Sequence, residues 1–247
     1  AGVQLIHTRL GESLMPCEHG GKLTSNSSLN FICMGRGLHM TITITSMVTR
    51  AAVEVEDSAY GRWTQLNWVD YFNSAIKEIC RLKFDAYTKR ANVVLASGVI
   101  QALPSDGHRL IRPTRNMGAD GVTVGNAVRF VELDPQNSFS ETWYSQTNGT
   151  SVDDVFYDSR HPLEFFVSPP ASTYYLEIIY AAIPAVVVIG SNFPLIDIYE
   201  TPAIYFAKGF AHQANRADVD FNRANAFMEL AFSSLGLQKG SEKETER

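Results

Sequence analysis

The run Thr64-Gln65-Leu66-Asn67-Trp68-Val69-Asp70-Tyr71-Phe72-Asn73-Ser74-Ala75-Ile76-Lys77-Glu78-Ile79-Cys80-Arg81-Leu82 decides the fold class. Leu66, Val69, Phe72, Ala75, Ile76, Ile79 and Leu82 recur every three or four residues, the spacing that lines one face of an α-helix. Thr64 stands before the run as an N-cap, its hydroxyl placed to satisfy an orphan backbone N–H. Upstream, Ile44, Met47, Val48, Ala51, Ala52 and Val55 give Thr41 to Asp57 a second helical stripe, with Ser46 as its cap. The segment Asp57-Ser58-Ala59-Tyr60-Gly61-Arg62-Trp63 reads as a turn, so the two helices are expected to pack as an antiparallel hairpin.

After Arg90 the period changes. Asn92 to Ala96, Val99 to Leu103, His108 to Thr114, Ala127 to Leu133, Asp153 to Tyr157, Leu163 to Val167 and Tyr174 to Ala182 are short, β-branched-rich runs separated by turn residues. Short strands in series predict a small antiparallel sandwich or barrel-like module. Helical spacing then returns. Thr201 caps a helix that begins at Pro202, and Ala217 to Leu235 carries Val219, Phe221, Ala224, Phe227, Met228, Ala231 and Phe232, with Gly236 as its stop. The expected fold is α+β: N- and C-terminal helix pairs form a bundle, with 64–82 packed on 217–235, and the antiparallel β module is inserted between them. The corresponding divisions are 40–90, 91–184 and 185–236.

Both ends depart from this pattern. No period persists through residues 1–39, and regular patterning starts after Met40. Met40 is therefore expected to be the true start, with 1–39 upstream sequence read in frame; the rival is an arm that orders on a partner. Gln238 to Arg247 are charged and lack apolar anchors, so 237–247 is expected to be a flexible tail or a docking arm in which Lys239, Glu242, Lys243 and Arg247 make polar contacts with a partner.

Composition narrows the function. Hydrophobic residues make up 45% and charged residues 19%, the balance of an ordinary globular protein. A net charge of −5, with no basic run, excludes a dedicated nucleic-acid binder but not a surface that lets DNA pass. The apolar stretch from Ile178 to Gly190 is broken by Pro184 and falls short of the ~20 residues a membrane helix needs. Cys17, Cys33 and Cys80 offer neither a disulfide framework nor a zinc site, so reduced thiols are expected.

No catalytic pattern emerges. The segment Gly118-Ala119-Asp120-Gly121-Val122-Thr123-Val124-Gly125 has no Lys-Ser or Lys-Thr after it and reads as a turn, not a phosphate cradle. His108, His161 and His212 lack a second ligand at metal-binding spacing. Asp153, Asp154 and Asp158 lie close together without the spacing of a calcium loop, and read as edge charges. No catalytic residue, cofactor or metal is therefore expected. Arg109, Arg112, Arg115 and Arg129 form the one cationic concentration. Strand alternation puts Arg109 and Arg115 on one face and Arg112 on the other. Arg109, Arg115 and Arg129 are the candidate contacts to a passing polyanion; edge-strand solubility, with salt bridges to residues such as Glu132, is the competing reading.

Several segments together resemble a family of tailed-bacteriophage adaptor proteins. They are Arg62-Trp63-Thr64 and Tyr71-Phe72-Asn73-Ser74-Ala75; Gly98-Val99-Ile100-Gln101-Ala102-Leu103-Pro104 with Arg109-Leu110-Ile111 and Arg115-Asn116-Met117-Gly118; Phe165-Phe166-Val167-Ser168-Pro169-Pro170-Ala171 and Glu177 to Pro184; and Asp197-Ile198-Tyr199-Glu200-Thr201-Pro202-Ala203. The resemblance covers Met40 to Gly236; Arg81-Leu82-Lys83-Phe84-Asp85 departs from it by lacking a proline after the second helix. It implies a head-to-tail connector of a short-tailed phage, without catalytic activity or cofactor. Such a protein forms a ring, typically of twelve subunits, between the portal protein and the tail nozzle. Its helical bundle meets the portal, it passes double-stranded DNA, and it resides in the virion neck after assembly in the host cytoplasm, with no membrane contact. A β-rich tail module that binds or hydrolyses surface carbohydrate is the alternative, and assembly state separates the two.

Overall fold

The stripe read in 64–82 closes into helix α2, Gln65–Leu82, and Thr64 caps it as expected, its Oγ1 accepting from Asn67 N at 3.3 Å. The computed structural model describes residues 42–132, 145–214 and 220–237. The expectations for residues 1–39 and for the tail from Gln238 lie outside them.

Helix α1 spans Ile44–Glu54, α3 Glu200–Ala214 and α4 Phe221–Ser234. Four local expectations need correction. The cap of α1 is Thr43, whose Oγ1 accepts from Ser46 N at 3.2 Å, so Ser46 is the donor. In α2, Leu66 is 73% exposed while Trp68 is fully buried, which turns the apolar face by about one residue. A 3-10 turn, Asp197–Tyr199, winds directly into α3, so the helix begins at Glu200 and Pro202 sits in its first turn, where a missing N–H costs nothing. Helix α4 starts with Asp220 as cap, and its end is closed by Gly236 at φ +70°, with Leu237 N donating to Phe232 O at 2.9 Å.

Helix α3 is the hub. Pro202, Ala203, Ile204, Phe206, Ala207, Lys208, Gly209, Ala211 and His212 are all buried, so it is enclosed on nearly every side. Both α2 and α4 pack on α3, which replaces the expectation of a scaffold made by α2 against α4. Gly209 permits the close approach of α4: a Cβ there would lie 2.9 Å from Met228 Cε. Trp68, Phe72, Ile79, Ile204 and Phe206 fill the helical core.

Eight strands follow α2 in the described residues: β1 Thr88–Val94, β2 Ile100–Ala102, β3 Gly107–Met117, β4 Val124–Ala127, β5 Arg129–Glu132, β6 Asp154–Tyr157, β7 Glu164–Ser168 and β8 Tyr175–Ala182. They form two four-stranded sheets, ordered β1-β8-β3-β4 and β2-β7-β6-β5. The antiparallel expectation fails at one pair, because β5 and β6 run parallel. Residues 133–153 separate them, long enough for the crossover a parallel pair requires. Leu110, Leu176, Ile178 and Tyr180 of the first sheet share a core with Val155, Phe165 and Val167 of the second.

Two asparagines tie irregular chain to these layers. On α2, Asn73 donates from Nδ2 to Val187 O at 3.1 Å and accepts from Val187 N at 2.8 Å. On β3, Asn116 does the same for Val152, both at 2.7 Å and both buried. Each carboxamide stands in for a strand partner and satisfies an otherwise orphaned N–H and C=O.

Candidate partner-facing and DNA-facing surfaces

The cationic concentration lies on β3, and its geometry differs from simple alternation. Against β8, Arg109 pairs with Ala181, Arg112 with Ile179 and Arg115 with Glu177, while Leu110, Pro113 and Asn116 pair with Tyr180, Ile178 and Leu176. Register shifts between 107 and 109, 110 and 112, and 113 and 115 insert an extra residue each time. Strand β3 therefore uses three residues where β8 uses two. Arg109, Arg112 and Arg115 all share the outer face, so the expectation that Arg112 points the other way is corrected. The signal in the sequence is Pro113: β3 lies inside its sheet, where a residue without an N–H fits only at a bulge.

Strand β1 adds Arg90 to the same face, opposite Ile179. Glu177 sits in the middle and is 5% exposed. It accepts from Arg115 Nη2 at 3.2 Å, and Arg90 Nη1 lies 3.9 Å away. Arg115 Nε also stands 3.2 Å from Glu177 Oε2, an ion-pair approach without hydrogen-bond alignment. The guanidinium of Arg109 lies 4.7 Å from the ring centre of half-exposed Phe84. Arg112 is exposed and has no acidic partner among the described residues.

Arg129 belongs elsewhere. It lies on β5 in the second sheet and meets Asp154 twice, by an ion pair at 2.7 Å and a hydrogen bond at 2.9 Å. Lys239, Glu242, Lys243 and Arg247 lie outside the described residues.

Several titratable groups make structural contacts. Asp158 accepts from Arg160 Nε at 2.9 Å, and that pairing, with the Arg160 backbone N–H, holds its carboxyl below the usual range. Asp106 is held low by Lys89, whose Nζ is 2.6 Å away, and Tyr180 Oη also donates to it at 3.0 Å. Asp120 takes Thr123 Oγ1 and the backbone N–H groups of Thr123 and Val122, which pull it down to about 2 and fasten the β3–β4 turn. Burial pushes the Cys80 thiol up to about 11, leaving an inert core residue. A cleft is lined by Lys83, Asp85, Ile198, Tyr199, Ser234 and Leu235, and Ser234 Oγ donates to Ala231 O at 2.7 Å. Among the described residues no group of three or more His, Cys, Asp or Glu could hold a metal ion, and no helix is long and apolar enough to cross a membrane.

A different surface is offered between β8 and α3. Ile183, Val186, Val188, Ile189, Ile196 and Ile198 are exposed along a connection that buries Val187, Phe193 and Leu195 in the helical core and packs Tyr199 against it. It is fastened to α1 by Phe193 N donating to Ile42 O at 2.8 Å and Ile44 N donating to Ser191 O at 2.9 Å. Apolar surface gathered on one short stretch is the mark of an interaction site.

No curated protein matches the chain. Residues 42–247 match the family described as SU10 adaptor protein, a span that takes in the four described helices and both sheets. The chain thus belongs to the SU10 adaptor protein family, a family of structural head-to-tail adaptors of phage particles.

Proposed function

We propose that the protein forms a ring between the portal and the tail nozzle of a short-tailed phage, helps to seal the capsid exit and lets DNA pass. The observation that carries this reading is the exposed apolar connection, with Val186 at 70% and Ile198 at 72% exposure. An extended apolar surface fastened to a rigid helical body suits a neighbour of the same kind, and repeated heterologous contacts close into a ring. Twelve copies is the stoichiometry of this reading. The helical segments 40–90 and 185–236 meet the portal, and 91–184 extends from them. Residues Lys239, Glu242, Lys243 and Arg247 of the tail dock on the portal through polar contacts. Passing DNA meets Arg109 and Arg115 on the first sheet, and Arg129 beside Asp154 on the second. The protein works in the virion neck, needs no cofactor and catalyses no reaction.

Light scattering of the protein alone and mixed with portal rings tests this reading. The expected result is a complex containing many copies per portal, formed even if the isolated protein is monomeric. A mixture in which the two proteins stay separate contradicts it.

A further inference from the structure

We propose that the outer face of the first sheet, carrying Arg90, Arg109, Arg112 and Arg115, is a binding surface for the phosphate backbone of duplex nucleic acid. The inference rests on the adaptor reading, in which DNA passes the chain, and names the surface and the chemistry of that contact.

The arginines form a row because β3 is bulged at every third residue. Without those insertions Arg112 would face the core. With them, successive arginines oppose every second residue of β8, a spacing of roughly 7 Å from the rise of a strand. A straight, evenly spaced row of cations complements a linear polyanion with evenly spaced charges. Among the described residues of its strands the face carries four arginines against the single carboxylate of Glu177, on a chain whose net charge is −5. Glu177 is buried; it orients the Arg115 guanidinium through a hydrogen bond and attracts that of Arg90 from 3.9 Å. The Phe84 ring, with its centre 4.7 Å from the Arg109 guanidinium, holds that side chain in place, and a guanidinium can grip a phosphate at two points.

An acidic polypeptide fits less well. Strand β3 lies between β8 and β4, so its backbone is already paired and cannot add a peptide strand. Phosphate contacts of this kind carry no base information and suit DNA that must move past.

The test uses the full chain and a mixed-sequence DNA duplex of about 30 base pairs, with binding read by fluorescence anisotropy from about 50 to about 200 mM salt. The expected result is salt-dependent binding, with the slope of log K against log[salt] reduced by roughly 1.8 in Arg109→Gln/Arg112→Gln, or about 0.9 for each phosphate no longer neutralised. Both residues are exposed, so the variant should keep the wild-type melting temperature. Lys77→Gln/Arg223→Gln, a charge-matched change on α2 and α4, should leave the slope unchanged. An unaltered slope in Arg109→Gln/Arg112→Gln overturns the inference, as does tighter binding of polyglutamate than of DNA. Absence of DNA binding by the wild-type protein also overturns it. Portal association measured on the same samples is a separate readout, so the adaptor reading can stand when this inference falls.

Discussion

Lys208 on α3 and Arg112 on β3 are cations near the middle of their elements, yet their surroundings are opposite. Lys208 is 3% exposed, with Glu54 Oε2 at 2.7 Å from its Nζ and the ring centres of Phe227 and Tyr205 at 4.4 and 4.7 Å. Arg50 extends the network, reaching Glu54 and Glu200, each at 3.0 Å, and so links α1 to the start of α3. Arg112 stands in solvent on a face with an excess of positive charge. At Lys208 charge is turned inward and ties α1 to α3. In the first sheet it is displayed, and the bulges of β3 serve that display. The helices are thus built as a rigid body, while the sheet is built as a surface.

The largest expected effect is in the packed cores. Phe72 on α2 and Phe165 on β7 are both fully buried, and Phe72→Ala or Phe165→Ala should each lower stability by about 3–5 kcal/mol, from lost burial and the cavity left behind. Urea denaturation measures both. A negligible change at Phe72 would break the picture of a rigid helical body.

Next come the two asparagine clamps. Asn116→Ala strands a buried N–H and C=O of Val152 and should cost about 2–4 kcal/mol. Asn73→Ala frees the same groups of Val187 at a part-buried site and should cost about 1–2 kcal/mol. Equal losses would show that water reaches both clamps alike.

A smaller effect depends on pH. His212 is buried between Trp63 and Phe227, and neither ring nitrogen has a hydrogen-bond partner among the described residues. Burial first, then Arg223, Arg62 and Lys208, push its pKa below 6.5, against the opposing pull of Asp220. Below pH 6.5 the unfolded chain takes up a proton that the folded imidazole refuses. Stability should therefore fall as pH drops through 6.5, and level off once the folded His212 titrates too. The slope is at most about 1.4 kcal/mol per pH unit for this group. His212→Phe keeps the ring contacts and should flatten the dependence; an unchanged slope would place the acid sensitivity elsewhere, with His108 the next group to test.

The smallest effect is expected at Arg129, whose side chain is 75% exposed despite its contact with Asp154. Arg129→Gln should shift stability by about 0–1 kcal/mol. A larger loss, read from the thermal midpoint, would show that the second sheet also depends on its surface charge.

Much of this fold was legible from periodicity, because a helix or strand that buries one face repeats its apolar residues at a fixed spacing. Helix α2 to Leu82 is such a case, while its cap at Thr64, the glycine stop after α4 and the turn within 118–125 were legible from local turn and cap chemistry. What periodicity hid was set by tertiary context. Helix α3 is buried on nearly all sides, so no stripe distinguishes it as the hub. The arginine row breaks the period-two rule through its bulges, and only Pro113 hints at them. Glu177 carries no signature in the sequence, because its place among the arginines depends on β8 lying between β1 and β3.

Imaging of the virion neck tests the central claim most directly. The account predicts density for the helical body and its two sheets in a closed ring between portal and tail nozzle, with the helices toward the portal. A neck that lacks this chain, or the chain found instead on a peripheral fibre or spike, would contradict it.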